Sequence, residues 1–406
     1  MKQRYYALIG RVLGYAGQFF IIAILPLILT PDLFAKYNLI VPLLMLSSSL
    51  AFGWLNGAAF RWSHKIVSKS RYIYRSSIAF YYTVLLIIMV LCSVTLSFMG
   101  YIYEAIFPFI VFVLSVKDYF LKVSNASEDY KKFAWTNGFV LIGKISFVLL
   151  VFKFNLNHIY WIMCAFLGSE LFFIIPFIGI KRKIKTIRIK RYCYVLKRML
   201  NYGAPLIAAS MSVWLISLSD RYILAFYLSE LEVANYVLIY QFAANSITIP
   251  IMFFITMYYP KLIKMERDIG LMSTLKYNNK MLNKYLLISP IYGIISICLI
   301  WILLDVVYKQ YNADILLVTV IVFSQIFSGA GHFYNKKYEL NNNTKYIAIS
   351  VFFAAIINVV GNFYMIPRMG LIGASYSSLI AYLFLIIFTK RADKIMSFKI
   401  ETVSKK

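Results

Sequence analysis

Acidic side chains are scarce in this chain. It holds 16 Asp and Glu against 42 Lys and Arg, and charged residues of all kinds reach only 14%. Soluble domains carry about 25% charged residues, so a freely soluble fold is excluded. Cysteine is scarce as well: there are four, none in CxxC spacing. That excludes a disulfide framework and a cysteine metal site. Cys92, Cys164 and Cys298 fall in apolar segments and Cys193 in a basic stretch, where packing is the expected role. His64, His158 and His332 are scattered without metal-ligand spacing and are expected to be structural or interfacial. No GxxxxGK[ST] loop is present, which argues against a self-contained ATP-driven pump. No other enzyme signature stands out, and no cofactor is expected. The apolar runs are solid rather than alternating, which excludes an outer-membrane barrel.

What is abundant is apolar: 61% of the 406 residues are hydrophobic and mean hydropathy is +0.74. Long apolar stretches recur from end to end, the pattern of a polytopic α-helical membrane protein. The net charge of +26 would suggest nucleic acid in a soluble protein. In a membrane protein, Lys and Arg accumulate in cytoplasmic loops instead, so no nucleic-acid partner is expected.

The pattern predicts twelve transmembrane helices. Six precede a basic run, at about 6–30, 37–62, 78–98, 105–123, 133–152 and 159–180. Six follow it, at about 203–222, 233–258, 285–304, 315–333, 346–365 and 371–389. The first is too long for the apolar core of a cleaved leader, roughly 7–15 residues, and is read as a retained helix. Gly10 and Gly14 give it small-xxx-small spacing for close approach of a neighbour. The loops on the N-terminal side hold 34 of the 42 Lys and Arg, and the opposite loops hold five, Lys36, Lys153, Arg221, Lys309 and Arg368. This places both termini in the cytoplasm.

The chain is organised around Lys181 to Tyr222, where a basic run passes through Tyr202-Gly203-Ala204-Pro205 into an apolar segment ending at Asp220-Arg221-Tyr222. The expected domains are a six-helix bundle at 1–180, a basic cytoplasmic linker at 181–200, a second bundle at 201–390 and a basic tail at 391–406. Such a layout implies two halves in parallel orientation. Ala35, Tyr37, Leu39 and Ile40 recur as Ala234, Tyr236, Leu238 and Ile239, each set opening the second helix of its half.

Ionisable residues at membrane depth are the candidate functional groups: Arg11, Lys117, Asp118, Lys144 and Glu170. A charge at the bilayer centre costs about 2.5–3.5 kcal/mol on insertion scales, so such groups usually face protein or water. Arg11 and Lys117 have a second reading, snorkelling to the cytoplasmic interface. Lys117 and Asp118 are adjacent and point about 100° apart on a helix, which forbids a face-to-face pair. Depth counting along consecutive antiparallel helices brings Lys144 and Glu170 to one level, where they are expected to pair or share a proton. Asp220 and Arg221, expected near the outer rim, read equally as an interfacial cap and as a gate. The second half otherwise offers neutral polar groups at depth: Gln241, Asn245, Gln325, Asn358 and Asn362.

At Tyr202-Gly203-Ala204-Pro205 and Asp220-Arg221-Tyr222 the chain resembles the O-antigen and capsular repeat-unit flippases. These form the polysaccharide-transporter branch of the superfamily that also holds the multidrug antiporters and the lipid II flippase. A helix opening Gly-x-Pro and closing on Asp-Arg-aromatic is similar to that family's seventh helix. Phe52-Gly53-Trp54-Leu55-Asn56-Gly57 with Arg61 resembles the end of its second. Asn235 departs from the pattern, which often has Gly before the Tyr.

The resemblance implies an all-α membrane fold of two six-helix bundles around a central cavity, in the bacterial inner membrane. The implied substrate is an undecaprenyl-diphosphate-linked oligosaccharide, moved to the periplasmic leaflet by alternating access. Membrane lipids, and the polymerase and chain-length regulator of the same pathway, are the implied partners; coupling to an H+ or Na+ gradient stays open. A multidrug or ion antiporter of the same fold is the first alternative. A membrane-embedded O-antigen polymerase is the second, disfavoured by short outward loops.

Overall fold

The computed structural model describes residues 2–62, 71–177, 189–312, 314–340 and 345–404, and His64 and most of the basic run at 181–188 lie outside them. Among the described residues every regular element is helical. Eleven α-helices follow in order: α1 Lys2–Ile28, α2 Pro31–Arg61, α3 Arg71–Phe98, α4 Phe107–Ala126, α5 Tyr130–Lys153, α6 Ile159–Glu170, α7 Ile189–Tyr227, α8 Glu230–Ile269, α9 Leu271–Val306, α10 Ile315–Leu340 and α11 Lys345–Ser404. Two 3-10 segments, Glu104–Ile106 and Leu171–Phe177, precede α4 and continue α6.

Nine of these segments, among the described residues, are long and apolar enough to cross a membrane. One of them, Lys345–Arg391, has 47 residues, about 70 Å of helix at 1.5 Å per residue. The hydrocarbon core is only about 30 Å thick, so a straight rod of this length overshoots it. The chain resolves the mismatch at Gly370, whose φ of 57° and ψ of −135° break α11 into two arms. With those arms counted separately, and with α4 and α7, the helices number twelve, as the hydropathy pattern predicts. This is a multi-pass membrane protein.

The chain divides into two compact units, Met1–Ser210 and Met211–Lys406. In the first, α1 lies along α5. A Cβ on Gly10 would sit 2.6 Å from the Phe133 ring, and one on Gly14 3.1 Å from Asn137 Oδ1. The small-residue spacing therefore does bring a neighbouring helix close. A second centre gathers Trp54, Leu55 and Ala58 of α2, Ile78 of α3, Tyr119 of α4 and Met199 of α7. In the second unit Ile216, Ala354, Ala355, Ala381 and Leu385 form the core.

α7 begins earlier than the sequence suggests. Gly203-Ala204-Pro205 was expected to open a helix, but the helix already runs from Ile189 and carries these residues in its interior. The reason is an amphipathic stripe hidden in the basic run. Tyr192, Val195 and Met199 recur at helical spacing and are buried, while Arg191, Lys197 and Arg198 face outward. Gly203 packs on the α2 backbone, where an added Cβ would lie 2.6 Å from Trp54 Cα. α8 opens on a capping box, with the Ser229 hydroxyl accepting from Glu232 N and the Glu232 carboxylate accepting from Ser229 N at 3.0 Å. Cys92, Cys193 and Cys298 are exposed, so packing is not their role.

Candidate functional site

In the first unit the buried charges converge on Glu170, at the C-terminal end of α6 and only 3% exposed. Its partner is Lys117 of α4, ion-paired through Nζ to Oε2. The expected Lys144–Glu170 pair is not what forms. Depth along two helices fixes a level but not a direction. At this level α5 turns Gly143 toward α6, where an added Cβ would meet the Ser169 carbonyl and lie 3.2 Å from Phe172 Cβ. Lys144, the next residue, is therefore rotated about 100° away. Its stem lies over α1, with Cδ 3.2 Å from the position a Cβ on Gly17 would take. From there its ammonium still interacts electrostatically with both Glu170 and Lys117. Tyr37 of α2 completes the group. It is buried, feels the Glu170 charge, and is boxed by the rings of Phe147 and Phe166, each 6.0 Å away.

The cluster thus holds two lysines and one glutamate, with formal charge +1. A buried pair pays its desolvation penalty only when well placed, and an extra cation beside it is compensated by nothing within this group. That is the arrangement expected where an anion is to be received.

Asp118 faces elsewhere, as its adjacency to Lys117 requires. It accepts from Asn56 Nδ2 at 2.9 Å and pairs with Lys122 at 2.8 Å, both members of that pair being 41% exposed. Asn56 is fully engaged: Nδ2 also donates to the Ser115 carbonyl, and Oδ1 accepts from the Tyr82 hydroxyl at 2.9 Å. Phe52 stacks on Tyr82 with centroids 5.2 Å apart. Phe52 and Asn56 of the Phe52–Gly57 motif therefore help build the α2–α3–α4 contact. Arg11 is partly buried on α1 and has no ion-pair partner among the described residues.

In the second unit Asp220 and Arg221 are buried. They are 1% and 4% exposed, and α7 continues to Tyr227 beyond them. The five residues 223–227, expected to lie outside the helix, add about 1.4 turns to it. Asp220 accepts from the Tyr236 hydroxyl at 2.5 Å and from Arg221 N at 2.8 Å. The Arg221 guanidinium lies 5.5 Å from the Tyr240 ring centroid, and its Nε is buried without a hydrogen-bond partner among the described residues. The neighbouring Ser219 hydroxyl donates to Asn358 Oδ1, which also accepts from Asn362 at 3.0 Å, while Asn358 Nδ2 donates to Ser378. Asn235 Oδ1 accepts from Asn312 N at 3.2 Å and ties the start of α8 to the loop before α10, a bond glycine would not supply. His158 caps α6 by accepting from Tyr160 N at 3.2 Å, the structural role expected of it.

Tyr37, Asn56, Tyr82 and Tyr236 were not among the sequence-predicted site residues. For Tyr37 and Tyr236 a signal existed: they are the matched pair in the repeated segments, and each sits beside its own unit's buried acid.

No family model matches the chain, and no curated protein matches it. Solved structures do. An inward-facing multidrug resistance MATE family transporter of the MOP superfamily aligns with TM-score 0.62 at 12% identity, over 98% of this chain and 95% of that one. The lipid II flippase MurJ in an inward closed conformation aligns with TM-score 0.59 at 17% identity, over 97% and 87%. An outward-facing MATE transporter of the same superfamily aligns with TM-score 0.59 at 13% identity, over 98% and 97%. The chain has the fold shared by these transporters, from end to end.

Proposed function

We propose that this chain is a flippase. It carries an undecaprenyl-diphosphate-linked oligosaccharide repeat unit from the cytoplasmic to the periplasmic leaflet of a bacterial inner membrane, for O-antigen or another surface polysaccharide, by alternating access. The observation that carries this reading is the Lys117–Glu170–Lys144 cluster, an intramembrane group whose charge sums to +1. A diphosphate passing through a low-dielectric region needs cations, and a lysine left over after its neighbour has paired is the group free to supply one. Arg11, also without a carboxylate partner among the described residues, is the second candidate. The lipid tail stays in the bilayer throughout. A fold in common with a lipid II flippase supports a lipid-linked substrate. Polymerase and chain-length regulator act on the product, so they are the proposed partners.

The decisive experiment is deletion of the gene in a polysaccharide-producing host. Surface polysaccharide is expected to disappear while single lipid-linked units accumulate on the cytoplasmic side. The MATE-like fold and the buried Asp220 favour a multidrug or ion antiporter as the second reading. That reading takes over if deletion leaves the polysaccharide intact and raises sensitivity to cationic drugs.

A further inference from the structure

One feature of the second unit takes no part in this transport reading. Between α8, α9 and α10 runs an apolar groove of about 310 Å³, walled by Ile247, Ile251 and Phe254 of α8, Tyr285 and Ile288 of α9, and Phe333 of α10. At roughly 30 Å³ per water-sized group, it holds about ten methylenes. Its two central tyrosines present rings rather than hydroxyls. Tyr285 donates to the Ile326 carbonyl at 2.8 Å and Tyr292 to the Ser246 carbonyl at 2.9 Å. Gly329 of α10 makes room for this floor, since a Cβ there would collide with the Tyr285 hydroxyl and Ile251 Cδ1. With both tyrosine hydroxyls engaged, the wall is hydrocarbon apart from Lys284 at its end and the Ser289 hydroxyl, which is buried without a hydrogen-bond partner among the described residues. One hydroxyl in an otherwise apolar groove suits a hydrocarbon chain and not a sugar.

Lys284 also lines the groove, and it belongs at the same time to an adjoining depression with Lys276, Asn279, Lys280 and Asn283. These residues recur at i+3 and i+4 and so form one stripe on α9. The stripe is held outward because Asn278 behind it is fully buried, donating to the Phe333 carbonyl at 3.1 Å and accepting from Tyr258. No acidic residue occurs between Leu271 and Leu304, and none of the three lysines is ion-paired among the described residues. The uncharged stretch of α9 starts at Tyr285, so the lysines stand at the edge of the hydrocarbon core.

We infer that this face of α9 holds one anionic phospholipid of the surrounding bilayer, with an acyl chain in the groove and its phosphate on Lys276, Lys280 and Lys284. Hydrocarbon-shaped space and unpaired cations at the right depth meet at a single residue, Lys284. Charge complementarity therefore selects an anionic lipid over a zwitterionic one with the same chains.

The test is native mass spectrometry of the full-length protein in detergent, titrated with palmitoyl-oleoyl phosphatidylglycerol or with phosphatidylcholine of identical chains. Phosphatidylglycerol is expected to bind one copy more tightly, by roughly fivefold per lysine engaged. Replacing all three with Gln (Lys276→Gln, Lys280→Gln, Lys284→Gln) should abolish that preference and leave phosphatidylcholine binding unchanged. Removing three tail lysines (Lys394→Gln, Lys399→Gln, Lys405→Gln) should alter neither. Ile288→Trp, at a residue 60% exposed and tolerant of bulk, should fill the groove and weaken both lipids. Equal binding of the two lipids by the parent protein overturns the inference, as does a phosphatidylglycerol preference that survives the triple substitution. Competition by glycerol 1-phosphate alone overturns it as well, since the site then reads free phosphate and not a lipid.

Discussion

Lys117 and Glu170, 53 positions apart, form an ion pair joining α4 to the C-terminal end of α6 inside the first unit. The Glu170 side chain is 3% exposed and that of Lys117 16%, so neither charge is free to turn to bulk solvent when the other is removed. Breaking a buried pair from one side costs about 3–5 kcal/mol, whereas replacing both partners by apolar groups is often neutral. Lys117→Met and Glu170→Leu are each expected to lower thermal stability in detergent strongly, and the double variant to recover most of it. Size-exclusion monitoring of heated samples reads this directly. Additive losses in the double variant refute the coupling.

Lys144 behaves differently under the same logic. It has no ion pair of its own among the described residues, and its removal relieves crowding with Lys117 while leaving Glu170 paired. Lys144→Gln should therefore keep or raise stability and still cut surface polysaccharide by tenfold or more in a deletion strain at matched protein level. Full polysaccharide from Lys144→Gln and Arg11→Gln alike would remove the cationic cluster from the transport mechanism.

The separation between these two lysines marks how far the sequence can be read. Helix number and broad layout were legible because about 20 apolar residues in a row have one physical solution in a bilayer. That Lys144 and Glu170 share one level was legible too, since that count runs along the helix axis. Azimuth was not. Gly143, with no side chain to signal its role, decides that α5 shows a bare backbone to α6 and sends Lys144 toward α1. The start of α7 was hidden for a different reason. The charge of the run from Lys181 to Arg198 masks the stripe of Tyr192, Val195 and the adjoining Met199, whose spacing is visible only once the basic residues are set aside. The end of α7 was hidden as well, because Asp220 and Arg221 interrupt the hydropathy at a point where the helix itself continues to Tyr227.

Gly143 supplies its own test. An alanine there brings a methyl group onto the Ser169 carbonyl and forces α5 and α6 apart, a cost of about 1–3 kcal/mol of overpacking. Gly168, on the facing helix, has nothing within 4 Å of an added Cβ. Gly168→Ala should gain up to about 1 kcal/mol from helix propensity. Opposite shifts in melting temperature from two chemically identical substitutions are the expected result.

The Tyr236–Asp220 hydrogen bond, at 2.5 Å, gives a prediction for the second unit. Tyr236→Phe keeps the ring's packing and leaves a buried carboxylate with one fewer donor, costing about 1–3 kcal/mol. In an Asp220→Asn background, where the charge is gone, the same change should cost less than half as much. A tyrosine that mattered only as a packed ring would show no loss in either background. Thermal unfolding of the four proteins in detergent measures the difference.

Orientation can be read with a cysteine the protein already has. Cys193 is exposed on the first turns of α7, within the basic run that the charge distribution places in the cytoplasm. Cys92, Cys164 and Cys298 lie within apolar helices and are to be replaced by Ser or Ala for the assay. In intact cells Cys193 should then resist a membrane-impermeant maleimide and react fully once the cells are opened. Lys309→Cys, in the loop between α9 and α10 on the opposite side, should show the reverse, reacting from outside without lysis. The two positions are separated by α7, α8 and α9, an odd number of crossings, so both must switch together if the orientation is inverted. Labelling of Cys193 from outside with protection of position 309 would invert the chain. Labelling of both from outside would mean that one of those three helices does not cross the membrane.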